Sequence, residues 1–199
     1  MIPKTKVVDG PGAVVGSKET ELKLITPRVT IQPKTLELLQ EQIKHELFAE
    51  RLYQSIASWC DYKGMTETAK FYSLHADEEH KHALRFVNFI QKRGEHAHYP
   101  DTEQPVQEFE SLREAVDASL DHEYFITDRI KNIYEMACEE KDYLAKEHAR
   151  DFIAEQTEEE QLFLSLSGWL DVCGNEGNAD FEMEVVNLHK RKVHIVGEL

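Results

Sequence analysis

TETAKFYSLHADEEHKHALRFVNFIQKR, residues 66–93, decides how the rest of the chain is read. Tyr72, Ala76, Ala83, Phe86 and Ile90 recur at steps of three and four, the spacing of one helix face turned to a core. Glu79 falls inside that apolar seam, and His82 follows it by one turn on the same side. A carboxylate in a helical seam is costly unless something neutralises it. The Glu-x-x-His spacing is that of the metal-ligating unit of some carboxylate-rich helix bundles. By itself the spacing is weak, since Glu95 and His98 repeat it after Gly94, where no seam supports it.

The same pattern appears three more times. One helix is predicted from about Lys34 to Tyr62, with the seam Leu39, Ile43, Glu46, Ala49, Tyr53, Ile56. The quoted stretch is the second helix, Thr66 to Arg93. A third runs from a capping box at Ser111 and Glu114 to about Glu140, with the seam Leu112, Val116, Ser119, Glu123, Ile126, Ile130, Ile133. A fourth, capped by Asp142, runs to about Cys173, with the seam Phe152, Gln156, Glu159, Phe163, Leu166, Leu170. Gly64, Gly94 and Gly174 punctuate the ends. A short fifth helix is predicted from Ala179 to Lys192. The links between the first two and the last two long helices are short, which predicts antiparallel hairpins. The link between the hairpins, with Pro100 and Pro105, is long enough to cross the bundle. An all-α, ferritin-like four-helix bundle with one long crossover and a short C-terminal fifth helix is therefore the expected fold.

Each seam carries a glutamate near its middle: Glu46, Glu79, Glu123 and Glu159. Carboxylates converging in a dry interior repel one another, so either their pKa values rise or cations neutralise them. Two divalent ions balance four carboxylates. No lysine or arginine stands in the middle of the seams. Carboxylate and imidazole donors fit iron, manganese or zinc better than copper or calcium.

Bulk properties narrow the partners. Lys and Arg number 23 against 38 Asp and Glu, a net charge of -15 that disfavours nucleic acid and anionic membrane surfaces. No run approaches the roughly 18 apolar residues of a membrane helix. Neither a secretory signal nor a transit peptide is legible. Cys60, Cys138 and Cys173 are scattered and odd in number, which points to no disulfide framework and to a reducing, cytoplasmic setting. Residues 1–33 hold four of the six prolines and a charge of about +2, the composition of an extended or partly disordered arm before the domain of residues 34–199.

Taken together, His45-Glu-Leu-Phe-Ala49, His75-Ala-Asp-Glu-Glu-His-Lys-His82, His122-Glu-Tyr-Phe-Ile-Thr127 and Glu155-Gln-Thr-Glu-Glu-Glu160 resemble a non-haem ferritin of the bacterial type. The resemblance covers about residues 34–190. It implies a di-iron centre with one iron on Glu46, Glu79 and His82 and the other on Glu79, Glu123 and Glu159. It puts Gln156 beside the irons or weakly on them, and makes Tyr53 a redox or hydrogen-bonding partner. It also implies a third, inward-facing iron site of Glu78, Glu155 and Glu158, shared with Glu159. His75, on the same side of its helix, is read as structural.

The activity implied is oxidation of Fe(II) to Fe(III) by dioxygen or hydrogen peroxide. Storage of the ferric product in a homo-oligomeric cage of about 24 subunits is implied with it. No haem is expected, because the methionine position after Glu79 is His80. The alternatives are a di-iron oxidase or peroxidase acting on another substrate, and a non-catalytic storage shell. The fourth helix has Gln156-x-x-Glu159 and not a second Glu-x-x-His, which sets the chain apart from bacterioferritins. A tryptophan common before this motif is absent; Asp151 and Phe152 stand there.

Overall fold

The computed structural model describes residues 31–177 and 179–196, with side chains through residue 188. The expected N-terminal arm lies outside the described residues but for its last three. The element order is α1 Pro33–Tyr62, α2 Thr66–Lys92, α3 Leu112–Glu139, α4 Tyr143–Cys173 and α5 Ala179–Val196. No strand occurs among the described residues.

Local chemistry sets the ends. Pro33 opens α1, where its fixed φ suits the first turn and its missing N–H costs nothing. Glu140, beyond the end of α3, caps the same terminus, accepting from the Thr35 amide at 2.9 Å and from its hydroxyl at 2.8 Å. Ser111 caps α3 by accepting from the Glu114 amide at 3.2 Å, while the Glu114 carboxylate reaches the Glu110 amide at 2.6 Å. Asp142 caps α4 through the Ala145 amide. At the end of α2 the chain reverses through Gly94, whose φ of +86° is a region other residues rarely adopt.

α1 packs on α2 and α3 on α4 as two hairpins, and α1 also faces α3. The crossover between α2 and α3 is stitched along α1. Gln40 bonds the His96 carbonyl and the His98 amide at 2.7 and 2.8 Å. Lys44 pairs with Glu103 at 2.8 Å, Ser55 bonds the Val106 carbonyl, and Trp59 meets Phe109 edge to face. The connection thus travels from near the start of α1 to its end, which brings the second hairpin back in the orientation of a crossover bundle.

Every seam position predicted above is buried. They form two separate apolar clusters. One, toward α5, gathers Tyr53, Ile56, Tyr72, Leu112, Phe163, Leu170 and others, and α5 closes it with Phe181 and Val185. The other gathers Leu39, Ile43, Phe86, Ile90, Ile126, Ile130 and Phe152. Between them lie Glu46, Glu79, Glu123, Gln156 and Glu159, none more than 7% exposed. α5 runs to Val196, longer than its pattern predicted. Its Glu182 accepts from the Glu67 and Thr68 amides at 2.7 and 3.2 Å, so an acid from the last helix satisfies the start of α2.

Candidate metal centre

Helical spacing delivers Glu46, Glu79, Glu123 and Glu159 to one level, one from each long helix. Glu46 is held by Gln42, one turn earlier, whose Nε2 donates to Oε1 at 2.9 Å. Its other oxygen, Oε2, is sealed from solvent with no hydrogen-bond donor among the described residues. Glu79 Oε2 faces His82 Nδ1 at 3.2 Å. Glu46, Glu79 and His82 each turn a ligand atom to within 4.8 Å of the others, the compactness a shared ion requires.

Glu123 is held on both sides. The Tyr53 hydroxyl donates to Oε1, and Gln156 Nε2 donates to Oε2 at 2.9 Å. Thr127 in turn donates to Glu160 at 2.6 Å, which leaves its oxygen lone pairs turned to Gln156 Nε2 at 3.4 Å. The amide of Gln156 therefore presents its NH₂ side to Glu123. That arrangement suits a hydrogen-bonding role toward Glu123 better than a ligand role.

The electrostatics are those of acids gathered without counter-charge. Burial, and next the charge of Glu79, push the Glu46 pKa well above the carboxylate range. Burial, then Glu123 and Glu159, do the same to Glu79. Glu123 is raised by burial, against the bonds from Tyr53 and Gln156. Burial and the Glu123 charge raise the Tyr53 phenol well above its usual range, so it is a neutral donor at pH 7. A buried carboxylate oxygen without a donor, among raised acids with an imidazole beside them, is a donor set suited to a cation. Carboxylate oxygen and imidazole nitrogen donors suit iron, manganese or zinc.

A second group lies next to the first. His75, Glu78 and Glu159 also bring ligand atoms within 4.8 Å of one another. His75 Nδ1 is 3.3 Å from Glu78 and 3.5 Å from Glu159. His75, read as structural from the sequence, therefore stands with two of the acids expected at the third site. The available signal was its spacing: three residues before Glu78, it repeats in reverse the step that joins Glu79 to His82. Glu155 goes elsewhere, into a pair with Arg85. Glu158 lines the same pocket as Glu78, Glu155 and Glu159, at the flank of the centre. Gln42 and Arg85 were not picked out from the sequence. Gln42 lies one residue before a seam position, and Arg85 one turn beyond His82.

Fold and site define a four-helix bundle whose helices enclose buried carboxylates and an imidazole, a donor set of the kind that can hold cations. The Ferritin-like domain family model matches residues 36–168, and the chain belongs to that family. It is 34% identical over 151 residues to a probable bacterial non-heme ferritin-like protein of Haemophilus influenzae, covering 76% of this chain and 92% of the relative. It is 31% identical to the bacterial non-heme ferritin of Campylobacter jejuni, covering 81% and 99%. Among solved structures, an open pore ferritin from Archaeoglobus fulgidus superposes with a TM-score of 0.76 at 30% identity, covering 80% of this chain and 97% of that one.

Proposed function

We propose that this chain is a non-haem ferritin that oxidises Fe(II) to Fe(III) at an intra-subunit di-iron centre and stores the ferric product inside a hollow homo-oligomeric cage of about 24 copies. The observation that carries this reading is the polar layer between the two apolar clusters, where Glu46, Glu79, His82, Glu123 and Glu159 meet. Ferrous iron is the substrate. Glu46 and His82 serve one ion, Glu123 and Glu159 the other, and Glu79 lies between. Two-metal sites hold their ions about 3.5–4 Å apart. Each ferrous ion gives up one electron. Dioxygen takes both, with two protons, and leaves as hydrogen peroxide, which is itself a competent oxidant for a further pair.

The residues beside the ligands have separate tasks. Tyr53 and Gln156 hold Glu123 in place from opposite sides. The group His75, Glu78 and Glu159 shares Glu159 with the centre, so an ion released from the centre has an adjacent place to bind. This supports a third, transit site in which His75 takes part. The acidic chain, with no helix among the described residues long and apolar enough to cross a membrane, suits work in the cytoplasm.

The test is anaerobic Fe(II) loading followed by oxygen, with native mass measured alongside. Rapid oxidation of two ferrous ions per chain in a large hollow particle is the expected outcome. Glu79→Ala should slow that burst by at least about 100-fold, since it removes the ligand both ions share. Unchanged stopped-flow kinetics in this variant would defeat the assignment. Slow oxidation by the wild type, with iron still accumulating, would favour a storage shell.

A further inference from the structure

His82 has two nitrogens, and only one faces the metal group. Nδ1 points toward Glu79 Oε2 at 3.2 Å; Nε2 lies on the other side, 3.6 Å from Glu155 Oε2. Glu155 is itself gripped. Arg85 holds it with both arms of the guanidinium, Nη1 on Oε2 and Nη2 on Oε1, the latter at 2.9 Å. The guanidinium lies over the Phe152 ring, 3.9 Å from its centroid. The His82 imidazole meets the same ring edge to face, at 5.6 Å and 78°. His82, Arg85 and Glu155 therefore form one braced unit, with Phe152 as its floor, at the side of the centre where Glu78 and Glu158 open to the pocket.

We propose that Glu155 and Arg85 are positioning residues for His82, with Glu155 orienting the imidazole and Arg85 fixing Glu155. This rests on the reading of His82 as a ligand. A neutral imidazole carries one N–H, and Nδ1 can donate a lone pair to a cation only if that proton sits on Nε2. A carboxylate facing Nε2 selects this tautomer, aims the ring and raises the basicity of the ligating nitrogen. At 3.6 Å the contact is longer than a hydrogen bond, and a small turn of the ring toward Glu155 would close it. The bidentate grip explains how a carboxylate at the pocket wall keeps its aim. A lysine in place of Arg85 would keep the charge but lose the planar fork and the stacking on Phe152. The same grip makes Glu155 a weaker iron ligand, because the guanidinium already offsets its charge and takes a lone pair on each oxygen. Glu155 thus leaves the third site to its neighbours and serves the first iron position instead.

The test is anaerobic cobalt(II) titration of the full-length protein, read by calorimetry and by the visible d–d bands of the bound ion. Wild type and His82→Ala establish the site. A tight first equivalent in wild type that is lost in His82→Ala is required, and its absence would overturn the ligand assignment itself. Glu155→Ala is then expected to weaken that first equivalent about 10–100-fold and to shift its bands. Arg85→Lys, which conserves charge, is expected to weaken it in the same direction, which separates aim from simple charge. If both variants bind the first cobalt as tightly as wild type with the same spectrum, the proposal fails. It also fails if Glu155→Ala loses only later, weaker equivalents, for Glu155 would then be a third-site ligand.

Discussion

Glu46 is the residue at which the cost of the site is plainest. It is 1% exposed, one of its oxygens lacks a donor, and burial holds its pKa well above the ordinary value. A carboxyl raised in the folded state binds its proton more tightly there than in the unfolded chain. The metal-free protein is therefore unburdened by it at about pH 4.5 and below, and loses stability as pH rises from there through the folded pKa. Glu46→Gln removes this dependence. The metal-free variant should be more stable than wild type at pH 8, by about 1–3 kcal/mol, and the gap should close toward pH 5. Denaturant melts of chelator-treated protein at the two pH values check this; equal stability at pH 8 would mean that the carboxylate is not stressed. The four buried glutamates were legible because glutamate is conspicuous in an apolar seam. Gln42 was not, because a glutamine beside a seam looks the same whether it faces water or a buried acid.

At the scale of the element, helix spacing carried most of the information. Each long helix begins and ends within a residue of its predicted bounds, because prolines, caps and glycines act locally. α5 overran its prediction, since the first glycine after Lys192 is Gly197, one residue past the end of the helix. Tertiary partners of helix ends were invisible for a similar reason. Nothing in the sequence around Glu182 announces that it lands on the first turn of α2, over 110 residues away in the chain. Its bonds to the Glu67 and Thr68 amides and to the Thr68 hydroxyl replace the side-chain cap that Met65 cannot supply. Glu182→Ala should cost on the order of 1–3 kcal/mol. Proteolysis should then cut between α4 and α5 sooner than in wild type. A variant with wild-type melting and cleavage would show that α5 is held by Phe181 and Val185 alone.

For the whole molecule, topology followed from loop lengths, and the crossover confirmed it by its track along α1. The pairing of Glu155 with Arg85 could not be read the same way. A Glu-rich run such as Glu158-Glu-Glu160 offers several acids per turn, and which one meets Arg85, Thr127 or the centre depends on the packing of α2 and α3 against α4.

The division of the apolar interior into two clusters has a mechanical consequence. Four rods share two oily grips, one toward each end, and the waist between them gathers acids that repel one another and that bound cations would rivet. In an ordinary helix bundle the tips fray first. Here, with metal stripped, amide deuteration should run ahead at the middle of the rods, around residues 43–50, 76–83, 120–127 and 153–160. Zinc should slow it there far more than at the ends. Uniform protection along each rod in the stripped protein would mean that the waist holds itself.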